Sequence, residues 1–229
     1  MKVRLRSLFS LYVYSMGLLH DLGMQYQTDK ATYHKYMDFY EQFFGPIRFD
    51  VRKVIEIGVH RGSSIRVWLD YFPNATIYGI DCIHCELVSP HDRFVYVTKN
   101  ALLEEVYSSF TDNDIDILID DGSHKISHQH DAIKFYWSKI KHGGYFVMED
   151  LSTSAIRADS ESCLPPSQRR LLANRDRLPT TYDFLKNNAV TQDAELNNIR
   201  DTEFGAKHFY NRDGTFHYPS SITCVIEKL

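Results

Sequence analysis

Short apolar runs alternate with amphipathic stretches up to about residue 150 of the chain. Runs rich in Val, Ile, Tyr and Phe are typical of buried strands, whereas apolar residues at helical spacing are typical of helices that cover a sheet. Strands are predicted at Lys53–Ile57, Thr76–Ile80, Phe94–Thr98, Ile115–Asp120 and Tyr145–Glu149. Helices are predicted between them at Ser63–Tyr71, Ala101–Phe110 and Ser127–Lys141, the last ended by Gly143-Gly144. This alternation predicts an α/β fold with a mostly parallel sheet.

The chain starts with a segment that is predicted to be helical. Residues 1–48 are expected to form helices, the second at Thr32–Phe44 and stopped by Gly45-Pro46. The first residues, MKVRLRSLFSLYVYSMGLLH, superficially imitate a signal peptide, but their apolar run is too short to span a bilayer and no clean cleavage site follows it. An amphipathic helix that packs on the domain is expected, with no integral membrane segment; peripheral membrane contact stays open.

The last third of the chain differs in composition from the part before it. Residues 151–207 are polar and dotted with proline, which is typical of a lid or substrate region. Residues 208–229 contain two β runs around Asn211–Gly214 and predict an antiparallel hairpin. We therefore expect one domain over 1–229, made of a helical cap (1–48), a core (49–150), the lid region (151–207) and the hairpin (208–229).

The composition of the 229 residues is that of a globular domain. Hydrophobic residues make up 43% and charged residues 24%, so a packed core is expected and disorder is not. The net charge of −4 argues against a nucleic-acid partner, whose phosphates attract basic surfaces. Cys82 and Cys85 have CxxC spacing, but no second pair completes a zinc site. Reduced thiols and a cytoplasmic location are therefore expected.

Acidic pairs close two of the predicted strands. Asp120-Asp121 ends DILIDD, Glu149-Asp150 ends YFVMED, and His124 follows the first pair in DDGSH. The helical segment between them implies a right-handed crossover, so both strands end at the sheet edge where α/β proteins bind ligands. Carboxylates gathered there without an obvious basic partner would repel one another unless a cation lay between them, and oxygen ligands favour Mg²⁺, Mn²⁺ or Ca²⁺. The alternative is that the first pair caps the following helix.

A second motif joins the first predicted strand to the next helix. It reads EIGVHRGSS and places Gly58 and Gly62 where the backbone turns tightly and approaches a ligand. The spacing differs from the dinucleotide fingerprint, because His60 and Ser63 stand where its second and third glycines would fall. Asp81 ends the following strand, where a carboxylate can accept both hydroxyls of a ribose. Together these features predict a cofactor that contains a nucleoside.

The order of these motifs resembles that of class I S-adenosylmethionine-dependent methyltransferases, and more narrowly the metal-dependent sugar O-methyltransferases of the macrocin and mycinamicin type. TDKATYHKYMDFYEQFF at Thr28–Phe44 is similar to that family's T-D-K…H-x-Y…Y signature, and EDLSTS at Glu149–Ser154 is similar to its E-D-L-H-T-S. The family's His and Tyr that flank T-S are Ser152 and Ala155 here, so the acceptor pocket is expected to differ. The resemblance implies a Rossmann-like, mostly parallel seven-stranded sheet with helices on both faces and residues 49–150 as the cofactor-binding core.

The resemblance also assigns roles to residues. It implies that Asp121, Glu149 and Asp150 hold Mg²⁺ or Mn²⁺ and that His124 acts as the base. S-adenosylmethionine is the implied cofactor, and its expected contacts are Thr28, Tyr36, Glu56, Gly58, Gly62, Ser63, Asp81, Asn100 and Asp120. The chemistry of the residues agrees, since a divalent cation lowers the pKa of a sugar hydroxyl and an imidazole can then accept its proton.

These inferences predict an O-methyltransferase that acts on a sugar hydroxyl of a glycan or glycosylated metabolite, with a deoxyhexose such as rhamnose as one candidate. The expected partner is a carbohydrate or glycosylated small molecule, and the sequence is compatible with a homo-oligomer. Three alternatives stay open: a catechol-type O-methyltransferase, a nicotinamide-dependent oxidoreductase and a non-catalytic cofactor-binding domain. The first shares the metal chemistry, and the second shares the sheet and the ribose carboxylate.

Overall fold

The computed structural model describes residues 17–84, 90–151, 194–195, 199–201 and 222–228. The α-helices are α1 (Leu18–Gln25), α2 (Asp29–Thr32), α3 (Met37–Phe44), α4 (Ser63–Tyr71), α5 (Glu104–Tyr107) and α6 (Ile126–Tyr136). The strands are β1 (Lys53–Ile57), β2 (Thr76–Asp81), β3 (Phe94–Thr98), β4 (Ile115–Asp120), β5 (Ile140–Met148), β6 (Ala194–Glu195), β7 (Ile199–Asp201) and β8 (Ile222–Lys228). Short 3-10 helices follow α3 and α6, at Gly45–Ile47 and Trp137–Lys139.

These strands form one sheet in the order β3-β2-β1-β4-β5-β8-β6, with β7 also paired to β8. Strands β1 to β5 are mutually parallel, whereas β8 is antiparallel to β5, β6 and β7. The strand order reverses between β1 and β4, which is the switch point where open α/β sheets bind ligands. The predicted Rossmann-like α/β class, with a mostly parallel sheet, is confirmed.

Alternate residues of the central strands contribute to two separate cores. On one face, Val54 and Ile117 pack with α1, α3 and α4, and on the other, Ile55 and Leu118 pack with α5 and α6. Both strands at the switch point are therefore buried on two sides. This fixes their register, because a slip of one residue would exchange the two faces. The carboxyl ends of β1 and β4 are thus held in fixed positions.

Helix α4 has well-defined ends. It begins directly after Gly62, whose φ of 71° places the backbone in the left-handed region. It ends where the guanidinium group of Arg93 donates hydrogen bonds to the carbonyl oxygens of Leu69, Phe72 and Ala75. The carbonyl groups of Leu69 and Phe72 are among those that a helix end leaves without intrahelical partners. The glycine turn therefore leads straight into the first turn of α4, at the carboxyl end of β1.

The predicted strands are confirmed, with changes of boundary at β2, which extends to Asp81, and at β5. Strand β5 begins at Ile140, so Gly143-Gly144 lie inside the strand and do not end the preceding helix. The predicted extension of that helix to Lys141 is wrong because Ile140 is fully buried and pairs with Ile115 of β4. The helix predicted at Ala101–Phe110 is reduced to the four residues of α5.

The single helix predicted at Thr32–Phe44 is wrong, because the chain breaks it into two. Helix α2 ends at Thr32 and α3 begins at Met37, after a turn in which Lys35 has a φ of 55°. The hydrophobic pattern continues through the break because Tyr36 is as deeply buried as the core residues of α3. The break carries α2 and this turn to the carboxyl ends of β4 and β5.

Six strands have five or more residues, whereas β6 and β7 are short segments beside β8, so the predicted count of seven is not confirmed. Strand β8 lies within the predicted hairpin of residues 208–229 and is antiparallel to its neighbours. The first β run of that hairpin and the turn predicted at Asn211–Gly214 lie outside the described residues. So do residues 1–16 and most of the predicted lid region. The single-domain organisation stays a prediction. Among the helices that the structure describes, none combines the length and apolar character needed to cross a membrane.

Candidate active site

A cavity of about 740 Å³ lies at the carboxyl ends of β1, β2, β4 and β5. Its volume is within the range of pockets that hold small ligands, about 300–1,000 Å³. Most of the residues predicted from the sequence line it, namely Thr28, Gly58, Ser63, Asp81, Asn100, Asp120, Asp121, His124, Glu149 and Asp150. The sheet therefore gathers at one edge the side chains that are far apart in the sequence.

Asp121, His124 and Asp150 form a compact cluster on the wall of this cavity. Each offers one ligand atom, and these atoms all lie within 4.8 Å of one another. The pairing of β4 with β5 brings the two acidic residues together, and positive φ values of 54° at His124 and 51° at Asp150 turn the chain just beyond each strand. Two carboxylates and an imidazole at this spacing fit a divalent cation with oxygen and nitrogen ligands.

Lys30 is a basic partner that the sequence analysis did not identify. Its buried ammonium group bonds Oδ2 of Asp121 and, at 2.7 Å, Oε2 of Glu149, and it lies 3.6 Å from Oε1 of Glu56. Burial opposes the charge of Lys30, but the three carboxylates outweigh that effect and raise its pKa well above the ordinary value. The premise that the carboxylates lack a basic partner is therefore wrong. The case for a cation now rests on the cluster of Asp121, His124 and Asp150.

Glu149 is the most enclosed of the three predicted ligands. Its Oε2 accepts from Lys30, and its Oε1 accepts from the hydroxyl of Tyr40 at 2.9 Å. Burial raises the pKa of Glu149, although the ammonium group of Lys30 opposes this shift. Because both oxygens are already bonded, Glu149 would have to exchange one of these bonds to bind an ion. Its role as a ligand stays a prediction.

Three of the predicted cofactor contacts are not among the residues that line the cavity. Glu56 is fully buried, where the Oγ of Ser64 and the Nε1 of Trp68 donate to its Oε2 at 2.8 and 3.1 Å. Burial raises its pKa to about 7. Gly62 sets the start of α4, and the hydroxyl of Tyr36 donates to Oδ1 of Asp150 at 2.9 Å. These residues support the walls of the cavity.

The glycine turn is held by Asp81. Its Oδ2 accepts from the backbone N–H groups of Val59 and His60 at 2.8 and 3.1 Å, and its Oδ1 accepts from the N–H of Ile83 at 3.0 Å. Gly58 has a φ of 90°, and a Cβ atom there would collide with the carbonyl group of Asp121. Glycine is thus required at this position by the close approach of the chain beyond β4, as well as by the tight turn.

Asp120 lines the cavity but is largely buried, with 6% of the residue exposed. Its Oδ1 accepts from the N–H of Gly122 at 3.3 Å, and burial raises its pKa to about 7. The alternative that the acidic pair caps the next helix is wrong, because α6 begins at Ile126 with Lys125 in the cap position. The acidic pair is therefore free of a helix-capping role.

Several residues of the cavity wall have no counterpart in the sequence predictions. They are Gln27, Lys30, His34, His60, Arg61, Lys99 and His128. Five of them come from turns and loops, where no hydrophobic period indicates which side chains point inward, whereas Lys30 lies in α2 and His128 in α6. Lys30 and His34 lie within the T-D-K…H-x-Y segment that carries the family resemblance, so that segment was the signal for both.

Comparison with known protein families agrees with the fold and with the geometry of the site. Residues 55–151 match a family described as methyltransferase domain. The matched range runs from β1 to the residue after Asp150, and so includes the glycine turn and both acidic strand ends. This match favours a methyltransferase over the nicotinamide-dependent alternative.

Curated relatives narrow the resemblance to sugar-modifying enzymes. The chain is 34% identical over 149 residues to the 8-demethyl-8-alpha-L-rhamnosyl tetracenomycin-C 2'-O-methyltransferase of Streptomyces olivaceus, a match that covers 59% of this chain and 38% of the relative. It is 29% identical over 161 residues to the mycinamicin VI 2''-O-methyltransferase of Micromonospora griseorubida, covering 63% of this chain and 40% of the relative. The match thus spans less than half the length of these relatives. The predicted resemblance to this group is confirmed.

Among solved structures, the MycE methyltransferase from the mycinamycin biosynthetic pathway, in complex with Mg, SAH and mycinamycin VI, has a similar fold. The TM-score is 0.63 at 22% sequence identity, and the match covers 92% of this chain and 54% of that chain. At this level of identity the likeness establishes the fold.

Proposed function

We propose that this protein is an S-adenosylmethionine-dependent O-methyltransferase that requires a divalent cation and acts on a sugar hydroxyl. The observation that carries the proposal is the cluster of Asp121, His124 and Asp150, whose ligand atoms lie within 4.8 Å beside the cavity of a methyltransferase domain. The names of the relatives, which are O-methyltransferases of glycosylated compounds, support the acceptor class. The Mg and SAH in the MycE complex support the ion and the cofactor.

The half of the cavity around β1 and β2 is proposed to hold the cofactor. S-adenosylmethionine supplies a methyl group on a sulfonium when it is bound there. Asp81, at the end of β2, would accept the ribose hydroxyls, and Asn100 would contact the adenine end. Gly58 and Ser63 line the turn into α4, and Asp120 faces the same space with a carboxyl group that suits the cationic end of the cofactor. Thr28 closes this side from the helical cap.

The other half of the cavity is proposed to activate the acceptor. A divalent cation held by Asp121 and Asp150, with Glu149 as a further ligand, would orient an acceptor hydroxyl and lower its pKa. The Nε2 atom of His124 lies 3.7 Å from Oδ2 of Asp150, which places the imidazole beside the proposed ion site. We propose that His124 lies beside the ion as a base and is not one of its ligands. It would take the proton of the hydroxyl as the oxygen bonds to the methyl carbon and the bond from that carbon to the sulfonium sulfur breaks.

The acceptor is proposed to be a carbohydrate or a glycosylated small molecule, with a deoxyhexose of the rhamnose type as the first candidate. A nucleic acid is not proposed, given the net charge of −4. We also propose a cytoplasmic location, which the free thiols of Cys82 and Cys224 support. A homo-oligomer stays compatible with these proposals.

A screen with labelled S-adenosylmethionine tests the function. Sugars, glycosylated polyketides and catechols are compared as acceptors, with Mg²⁺ and with excess chelator. We expect transfer to a sugar hydroxyl that chelator abolishes and Mg²⁺ or Mn²⁺ restores. Transfer to catechols alone would overturn the sugar assignment, and full activity in chelator would overturn the metal requirement.

His124→Ala tests the base within the same assay. Its kcat should fall about 10²- to 10⁴-fold, because the proton of the hydroxyl loses its acceptor. His142→Ala is the matched control, since His142 is exposed on β5 and is not among the residues that line the cavity. Equal rates for both variants would exclude His124 as the base.

A further inference from the structure

Tyr36 lies beneath the proposed ion site and does not line the cavity. Its side chain has no exposed surface, and its hydroxyl donates to Oδ1 of Asp150 at 2.9 Å. The ring is held between two others: it stacks on the ring of His34, with the centroids 5.0 Å apart, and lies 5.8 Å from the ring of Tyr40. The hydroxyl is thus a donor on a rigid support, aimed at one oxygen of Asp150.

The other oxygen of Asp150 points toward the cluster. Oδ2 lies 3.7 Å from Nε2 of His124, which is another member of the cluster. Asp121 is arranged in the same way, because Lys30 occupies its Oδ2. In both carboxylates a buried side chain takes one oxygen, and the remaining oxygen is available to a cation. A hydrogen bond of this kind restrains the rotation of the carboxylate and so favours one orientation of its other oxygen.

We propose that Tyr36 is a positioning residue that fixes Asp150 for a divalent cation, in place of the cofactor contact predicted from the sequence. This inference rests on the proposed function, since it concerns the ion of that site. Side chains that orient metal ligands by hydrogen bonds typically change the metal affinity about 10- to 100-fold when they are removed. Because the hydroxyl of Tyr36 is neutral, removing it leaves the charge of the ion site unchanged. Its effect on metal affinity can therefore be separated from that of the charged ligands.

The test uses Tyr36→Phe in the full chain, which removes only the hydroxyl group. Tyr71→Phe is the matched control: Tyr71 is also fully buried in the same core, and its hydroxyl also donates to a carboxylate, Oε1 of Glu41 at 2.7 Å. Mg²⁺ and Mn²⁺ affinities are measured by titration calorimetry without cofactor. The affinity for S-adenosylhomocysteine is measured in excess chelator, and thermal unfolding reports whether each variant is folded.

We expect Tyr36→Phe to weaken Mg²⁺ binding about 10- to 100-fold and to change the affinity for S-adenosylhomocysteine less than about threefold. Tyr71→Phe should leave both affinities as in the wild type. Unchanged Mg²⁺ affinity in Tyr36→Phe would overturn the inference, and a loss confined to S-adenosylhomocysteine would restore the cofactor contact. If Tyr36→Phe does not fold, Asp150→Asn must abolish Mg²⁺ binding, and retention of binding overturns the inference. Absence of Mg²⁺ binding by the wild type overturns the proposed metal requirement itself.

Discussion

Glu56 carries a carboxyl group that the fold removes from water. Burial raises its pKa from 4.5 to about 7, even though Lys30 lies 3.6 Å away and two donors bond its Oε2. Between these pH values the unfolded chain releases the proton and the folded chain keeps it. The contribution of Glu56 to the free energy of unfolding therefore falls as pH rises from about 4.5 to 7. At about 1.4 kcal/mol per pH unit, it is lowered by about 3 kcal/mol above that window.

Glu56→Gln should remove this pH dependence. The variant keeps an oxygen for Ser64 and Trp68 but cannot ionise, so we expect its free energy of unfolding to exceed that of the wild type at pH 8 by more than at pH 5. Urea unfolding at both pH values measures the difference. The same difference at the two pH values would contradict a raised pKa at Glu56.

Asp81 should contribute to cofactor affinity through its charge. Asp81→Asn keeps an acceptor oxygen for the N–H groups of the glycine turn but loses the one for the N–H of Ile83. It also loses the charge-assisted bonds to the ribose hydroxyls, and a hydrogen bond to a charged group is worth about 1.5–3 kcal/mol. We expect S-adenosylhomocysteine to bind about 10- to 100-fold more weakly in calorimetry. The exposed Asp92→Asn is the control. Equal affinities in both variants would place the ribose elsewhere.

The geometry of the glycine turn between β1 and α4 can be tested with a matched pair of glycine-to-alanine substitutions. Gly58 and Gly143 both have positive φ, 90° and 74°, but an added Cβ meets the Asp121 carbonyl only at Gly58 and meets open space at Gly143. Gly143→Ala should cost about 1–2 kcal/mol of stability from backbone strain. Gly58→Ala should cost about 3 kcal/mol or more, because β4 or the turn must move. Similar urea midpoints for the two variants would contradict the close approach.

The predictable elements are those that local patterns determine. The strands β1, β3 and β4 have the predicted boundaries because each is a short run of β-branched and aromatic residues between polar turns. The acidic pairs and the glycine turn were identified because they fall at strand ends, where parallel topology brings them together. The break between α2 and α3 was not predictable, because buried Tyr36 continues the hydrophobic pattern across it. Lys30 was missed for a related reason: no local pattern indicates that a lysine will be buried among carboxylates.

For the molecule as a whole, ligand binding should raise the free energy of unfolding. A ligand that binds only the folded state at about 100 times its Kd adds about 2.7 kcal/mol to the free energy of unfolding. In a chain of this size that corresponds to a rise in Tm of about 5–10 °C. We expect Mg²⁺ to raise the Tm of the wild type in this way, and NaCl of equal ionic strength to have little effect. A variant with Asp121→Asn and Asp150→Asn should lose the response, and a preserved response would place the ion outside this cluster.

The contacts of Lys30 and Tyr40 join parts of the chain that are synthesised at different times. Lys30 bonds residues 91 and 119 positions later, and the hydroxyl of Tyr40 bonds Thr223, 183 positions later in β8. A nascent chain on the ribosome can pair β1 with β2 and β2 with β3 long before β8 has emerged, but until then Tyr40 lacks its contact with Thr223. Contacts of such long sequence separation form late in folding. The ammonium group of Lys30 can meet the carboxylates of Asp121 and Glu149 only when translation has passed β5, so this part of the helical cap is completed late.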